Sequence, residues 1–120
     1  MACILFVEDE FGDSTVEALE DIGHLVLFYQ DGRSAYNDIK DGLRYGLALI
    51  DFSLIDFNGE AVMRMSKEKN PKIPVISLSG YHIESKYSDV HLTKPILFKN
   101  FKALFTRPLL IWSMSLIHFG

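Results

Sequence analysis

The chain has 120 residues, of which 48% are hydrophobic and 23% are charged, an ordinary composition for a single globular domain. Its formal net charge of −4 argues against general binding to nucleic acid, because nucleic-acid-binding domains usually carry a basic face. The single cysteine, Cys3, excludes an internal disulfide framework and a cysteine-based metal site, and it favours a reducing, cytoplasmic setting.

Short apolar runs of strand length alternate with segments of helical spacing. Strands buried on both faces read as continuous apolar runs, and apolar residues at i, i+4 and i+8 indicate one face of a helix. The predicted elements are, in order, a strand over 3–7, a helix over 13–23, a strand over 24–29, a helix over 32–43, a strand over 47–51, a helix over 59–69, a strand over 74–79, a short strand over 90–93 and a helix over 96–105. Because such alternation forms βαβ units, it predicts one doubly wound α/β domain with a five-stranded parallel sheet.

The C-terminal segment over 108–120, "PLLIWSMSLIHFG", is almost free of charge. Even as a helix, the residues after Pro108 would reach only about 18 Å, well short of the ~30 Å hydrocarbon core, so we predict no membrane span. We divide the chain into a domain over 1–107 and an apolar tail over 108–120. The tail is expected either to pack on this domain or to bind another chain, including a second copy in a homodimer formed with the helix over 96–105.

Polar side chains follow four of the predicted strands. Ligands of open parallel sheets bind beyond the carboxyl ends of the strands, at the point where the strand order reverses. At those ends the sequence has Glu8, Asp9 and Glu10 after the first strand, Asp51 at the end of the third, Ser79 at the end of the fourth and Lys94 after the fifth. We expect these side chains to converge at one edge of the sheet.

Acidic residues brought together in this way need a compensating positive charge. Two carboxylates ~4 Å apart repel by ~1 kcal/mol in water and by ~4 kcal/mol near a protein surface, so either a pKa rises or a cation binds. Oxygen ligands without cysteine or histidine favour Mg²⁺. Because Mg²⁺ usually takes one or two carboxylates and a phosphate, Asp51 would be left as a nucleophile toward phosphorus, with Lys94 and Mg²⁺ neutralising the transferred group.

Four motifs, in the order "ILFVEDE", "LALIDFSLIDFNG", "VISLSG" and "LTKP", resemble the signature of response-regulator receiver domains over roughly residues 3–105. The resemblance implies a flavodoxin-like (βα)5 fold and a place in two-component, phosphorelay signal transduction. Members of this family accept a phosphoryl group from the phosphohistidine of a histidine kinase. They catalyse their own phosphorylation and dephosphorylation, so whether such a phosphoprotein counts as an enzyme is left open.

The resemblance also implies a role for each matched residue. Asp51 matches the phosphoacceptor, Lys94 the lysine that contacts the phosphoryl group, and Ser79 the switch hydroxyl. The Mg²⁺ ligands would be Glu8, Asp9, Asp51 and the backbone carbonyl of Ser53, and Gly59 matches the glycine that ends the loop after the acceptor strand.

The sequence departs from the family pattern at two places before the tail. His91 stands three positions before the lysine, where the family often has a tyrosine or phenylalanine that turns inward when the switch hydroxyl moves. Only fourteen residues separate Ser79 from Lys94, about two helical turns fewer than the family normally has. The fourth helix is therefore expected to be a stub or a loop, with altered docking of partners.

Three functions compete at this point. The leading hypothesis is a single-domain response regulator that signals to an unspecified downstream protein through a phosphorylation-induced change in partner binding. The alternative is a receiver-like interaction module that works without phosphorylation. A hydrolase similar to the haloacid-dehalogenase-like phosphatases would need an acid/base aspartate two residues after the nucleophile, where this chain has Ser53.

Overall fold

The computed structural model describes residues 3–10 and 12–95. The predicted helix over 96–105, the tail over 108–120 and the homodimer surface assigned to them lie outside these residues. Within the described ranges, no helix is both long and apolar enough to traverse a bilayer.

The described residues form one sheet with three helices. The strands are β1 (Cys3–Val7), β2 (Leu25–Tyr29), β3 (Leu47–Asp51), β4 (Val75–Ser79) and β5 (Val90–Thr93), and the helices are α1 (Asp13–Asp21), α2 (Gly32–Lys40) and α3 (Gly59–Lys69). All four strand pairs are parallel, in the order β2-β1-β3-β4-β5. This confirms the predicted parallel sheet, and the order is the flavodoxin-like one, with its reversal between β1 and β3.

The helices cover both faces of the sheet, as a doubly wound fold requires. Helices α2 and α3 pack on one face, where the buried apolar residues are Leu5, Val7, Ala35, Ile39, Tyr45, Ala48, Ile50, Val62, Met63, Met65 and Val75. Helix α1 packs on the other, where they are Ile4, Phe6, Leu19, Leu47, Leu49, Ile76 and Leu78. Since a fully buried aliphatic side chain stabilises a fold by about 1.5–3 kcal/mol, the two clusters fix β1, β3 and β4 side by side.

Helix α2 ends earlier than the apolar pattern predicts. It begins after Asp31, whose carboxylate accepts a hydrogen bond from the Arg33 amide at 2.9 Å. It ends at Lys40, because Gly42 adopts a φ of +102°, a left-handed conformation that stops the helix before Leu43. Leu43 still packs against the cluster of α2 and α3, which explains its helix-like spacing in the sequence.

Residues 80–89, which connect β4 to β5, contain turns and bends but no helix. Of the two expected forms, the loop is therefore the one observed. The end of this loop is held by Asp89, whose Oδ2 accepts hydrogen bonds from Lys67 Nζ at 2.5 Å and from the Val75 amide at 2.9 Å. Tyr87 packs against the same cluster as α3, so the loop crosses the sheet on the α3 side.

Replacement of Gly59 is expected to destabilise the fold, because α3 begins in direct contact with the end of β3. A Cβ on Gly59 would lie 2.3 Å from the Asp51 carbonyl oxygen and 2.7 Å from Phe52 Cα. Helix propensity alone favours alanine over glycine by up to ~1 kcal/mol, but overpacking against backbone costs about 1–3 kcal/mol or more. We therefore expect Gly59→Ala to lower the free energy of unfolding by about 2 kcal/mol in urea titrations.

Gly46→Ala is the matched control for this substitution. A Cβ at Gly46 would meet only the Cys3 carbonyl oxygen, at an ordinary 3.7 Å. Its unfolding free energy should stay within ~0.5 kcal/mol of wild type. If the two glycine variants proved equally stable, the tight contact between α3 and β3 would be wrong.

Candidate functional site

The ends of β1 and β3 bring three carboxylates together. Val7 lies opposite Ile50 in the parallel register, so Glu8 and Asp51 come next on two adjacent strands. Glu8, Asp9 and Asp51 each offer a carboxylate oxygen, and these oxygens all lie within 4.8 Å of one another. Glu8 is 6% exposed and Asp51 only 3%, whereas Glu10 is exposed. The carboxylates of Glu8, Asp9 and Asp51 therefore lie together as predicted, whereas Glu10 is not part of the cluster.

Lys94 reaches this acidic cluster from the far edge of the sheet. Its Nζ lies 2.7 Å from Glu8 Oε1 and 3.2 Å from Asp51 Oδ2. Its backbone amide donates a hydrogen bond to the Ser79 carbonyl at 2.7 Å, which fixes the residue just beyond β5. Burial lowers the pKa of Lys94, but hydrogen bonds and attraction from Glu8 and Asp51 more than offset this, and the pKa lies above its usual value.

One ammonium group does not balance the carboxylates. Burial and, next, the adjacent Asp51 carboxylate raise the pKa of Glu8 to about 8, and Lys94 opposes this change only in part. Among the described residues, Glu8 Oε2 is buried and has no hydrogen-bond partner. Glu8 therefore holds a proton near neutral pH unless another cation approaches.

The donor set fits a magnesium ion. Oxygens on opposite sides of an octahedral Mg²⁺ are about 4 Å apart, which is compatible with carboxylate oxygens that all lie within 4.8 Å of one another. Backbone amides orient two of the three ligands: Ser53 donates to Asp51 Oδ1 at 3.0 Å, and Ile55 donates to Asp9 Oδ2 at 2.6 Å. The buried, unpartnered Glu8 Oε2 would gain a partner from the ion. The role of the Ser53 carbonyl stays a prediction.

Ser79 lies at the end of β4 and is fully buried. Its hydroxyl donates to the carbonyl of Tyr81, and its Oγ lies 3.3 Å from His91 Nε2. His91 is half-buried on β5 and also contacts the Tyr81 carbonyl, at 3.2 Å. The two residues predicted as the switch are thus in contact with each other.

Comparison with known proteins places this geometry in context. No protein-family model matches the chain. A curated relative, the transcriptional regulatory protein ZraR of Escherichia coli (strain K12), is 27% identical over an alignment of 115 positions that covers 88% of this chain. The chain spans only 26% of the length of that relative. A solved response regulator receiver domain protein (CheY-like) from Methanospirillum hungatei JF-1 superimposes with a TM-score of 0.81, at 22% identity, over 96% of this chain and 98% of its own. The chain therefore has the fold of response-regulator receiver domains.

A second solved structure bears on the metal. It is the receiver domain of the sensor histidine kinase PA1611 from Pseudomonas aeruginosa PAO1, with a magnesium ion coordinated in the active site cleft. It matches with a TM-score of 0.74 at 22% identity, over 88% of this chain and 95% of its own. The present chain has, in Glu8, Asp9 and Asp51, an acidic cluster that could hold a metal ion.

One part of the site was not predicted from the sequence. Ser77 is fully buried, and its hydroxyl lies 2.8 Å from His91 Nδ1 and 2.7 Å from Ser88 Oγ. Strand periodicity could have indicated this, because the alternating serines of "VISLS" place Ser77 and Ser79 on the same face of β4. The position of Ser88, in a segment without regular structure, has no such signal in the sequence.

Proposed function

We propose that this receiver domain accepts a phosphoryl group on Asp51 from the phosphohistidine of a histidine kinase, in a magnesium-dependent reaction. The supporting observation is the buried Asp51 carboxylate, which lies in a cluster of three acidic groups with Lys94 Nζ only 3.2 Å from its Oδ2. Phosphoryl transfer to a carboxylate needs a nucleophilic carboxylate, acidic ligands for a metal ion and a cation beside the transferred oxygens. Here these would be Asp51, the pair Glu8 and Asp9, and Lys94. We also propose that the protein acts in the cytoplasm, as the sequence predicts.

In the proposed reaction, an oxygen of Asp51 bonds to phosphorus as the bond between phosphorus and the kinase imidazole breaks, which gives an acyl phosphate and a free histidine. The Ser53 amide holds Asp51 Oδ1 at 3.0 Å, so the carboxylate has a fixed orientation. Lys94 would neutralise the transferred oxygens. A Mg²⁺ ion held by Glu8, Asp9, Asp51 and the Ser53 carbonyl would supply further positive charge.

Signalling would then follow from a change around Ser79. In this proposal its hydroxyl turns from the Tyr81 carbonyl to a phosphoryl oxygen, and the loop over 80–89 responds. Since this loop takes the place of a fourth helix, its altered shape would change the binding of a downstream partner.

Acetyl phosphate with Mg²⁺ tests the proposal directly. We expect wild type to gain one acid-labile phosphoryl group, detected by intact mass, and Asp51→Asn to gain none. Asp56→Asn is the control, because Asp56 is exposed in the same loop and its carboxylate lies beside Asp31 and accepts a long hydrogen bond, 3.4 Å, from the Gly32 amide. A wild type that stays unmodified would instead support an interaction module that works without phosphorylation.

A further inference from the structure

A continuous set of hydrogen bonds connects the end of β4 to the loop over 80–89 through His91. Both ring nitrogens take part: Nδ1 lies 2.8 Å from Ser77 Oγ, and Nε2 lies 3.2 Å from the Tyr81 carbonyl and 3.3 Å from Ser79 Oγ. Ser77 Oγ in turn lies 2.7 Å from Ser88 Oγ. His91 is opposite Ser77 in the strand register, so the ring bridges both serines on one face of β4.

The partners of Nε2 decide where its proton lies. The Tyr81 carbonyl can only accept, and the Ser79 hydroxyl already donates its own proton to that same carbonyl. Both contacts are therefore satisfied only if Nε2 carries a hydrogen and donates it. In a neutral ring Nδ1 is then bare and accepts from the Ser77 hydroxyl, so the Ser88 hydroxyl is shared between Ser77 Oγ and the Val90 carbonyl. In a charged ring Nδ1 donates to Ser77 Oγ, and the Ser77 hydroxyl can donate to Ser88. Nε2 is a donor in either case.

We propose that His91 is a positioning residue that holds the Ser79 hydroxyl against the Tyr81 carbonyl, so that a phosphoryl group on Asp51 must compete with His91 for Ser79. This inference rests on the proposed function and deepens it. A phenylalanine at this position could fill space, but it could neither donate to Ser79 nor receive a bond from Ser77. Both ring nitrogens of His91 are thus hydrogen-bonded. Release of the Ser79 hydroxyl breaks the bond between Ser79 Oγ and His91 Nε2.

Binding of beryllofluoride with Mg²⁺, which mimics the acyl phosphate, measures this competition. In His91→Phe the Ser79 hydroxyl keeps its contacts with the Tyr81 backbone but loses its bond to His91. Because one neutral hydrogen bond is lost from the resting state, we expect about three- to tenfold tighter binding. His91→Gln can place an N–H where Nε2 lies and should stay within about twofold of wild type. His91→Asn reaches only the position of Nδ1 and should behave like the phenylalanine variant.

Two controls separate positioning from stability. Thr93→Ala changes an exposed side chain on the same strand, β5, and should leave beryllofluoride affinity unchanged. Thermal midpoints of all variants show whether each remains folded. Equal affinity in wild type and His91→Phe, or a glutamine variant as altered as the phenylalanine variant, would overturn the proposal.

A second readout does not depend on phosphorylation. Long-range ¹H–¹⁵N correlation spectra of the free protein should show the hydrogen of the neutral His91 ring on Nε2, and Ser79→Ala should shift the Nε2 resonance more than Thr93→Ala does. A bare Nε2 would overturn the hydrogen-bond assignment and the proposal with it. The spectra could be as expected although beryllofluoride does not bind wild type. The proposed function, and the competition for Ser79 that depends on it, would then be wrong, but the contact between His91 and Ser79 would still be supported.

Discussion

Magnesium affinity is expected to rise on the order of 50-fold between about pH 6 and pH 8. The metal needs an ionised Glu8, but burial and the neighbouring Asp51 raise the pKa of Glu8 to about 8. Below that pH the ion must displace a proton, so affinity rises close to tenfold per pH unit and levels off above pH 8. Calorimetry in buffers of different ionisation heat would measure both the affinity and the proton released.

Glu8→Gln isolates the contribution of this carboxyl group. The amide keeps the size of the side chain and can still accept from Lys94, but it has no proton to release. Magnesium binding should be weaker and nearly independent of pH in this range. If the variant kept the full pH dependence of wild type, the proton would have to come from another group, and the assignment to Glu8 would be wrong.

The same pKa predicts how the metal-free protein responds to pH. The unfolded carboxyl ionises near its ordinary pKa of 4.5, whereas native Glu8 keeps its proton up to about pH 8. Within this window the native state binds more protons, so the free energy of unfolding falls as pH rises. The loss from Glu8 is on the order of 3 kcal/mol at neutral pH. It should be absent in Glu8→Gln and be reduced in wild type by saturating Mg²⁺.

Phosphorylation by acetyl phosphate is expected to fall by about 100-fold or more in Lys94→Met, while magnesium still binds. Lys94 Nζ is the cation nearest the Asp51 carboxylate among the described residues, at 3.2 Å, and it would neutralise the transferred oxygens. Methionine keeps most of the aliphatic stem but removes the charge. Since Lys94 and a metal ion compete for Glu8 and Asp51, magnesium affinity should be at least as high as in wild type. Initial rates at saturating Mg²⁺ would measure the effect.

Lys67→Met is the matched control for this substitution. Lys67 forms the other partly buried lysine–aspartate pair of the described chain, 2.5 Å from Asp89, but at the opposite end of β4. Its loss should cost about 1–3 kcal/mol of stability and leave the phosphorylation rate within about twofold of wild type. Equal loss of phosphorylation in the two variants would show that the effect of Lys94 is one of folding.

The arrangement of the acidic site could be predicted from sequence because parallel strands align their ends. Once 3–7 and 47–51 are recognised as buried neighbouring strands, Glu8 and Asp51 must meet, whatever the loops do. The spacing of apolar residues predicted β5 over 90–93 and α3 over 59–69 with the observed bounds. The end of α2 was predicted three residues late because Leu43 packs on the core from a turn.

Contacts between a side chain and a distant backbone group could not be predicted in this way. The hydrogen bond from the Ile55 amide to Asp9 depends on the path of the β3–α3 loop, and that path has no periodic signal. Likewise, His91 could be placed on β5, but its contact with the Tyr81 carbonyl depends on the path of the loop over 80–89. Local spacing determines which residues share a face, whereas their partners depend on how the loops close.

The loop between β4 and β5 is hydrogen-bonded to the sheet at both ends, and side chains in its middle are exposed. Tyr81 is bonded to Ser79 and His91, and Asp89 is bonded to Val75 and Lys67, whereas the side chains of His82 and Glu84 are 76% and 91% exposed. Extra residues inserted between His82 and Glu84 would lengthen the loop without breaking the hydrogen bonds at either end. Each doubling of the length of a flexible loop raises the free-energy cost of closing it by only ~0.6 kcal/mol. A fluorescent reporter grafted between these two residues would thus report on Ser79 from outside while leaving the sheet intact.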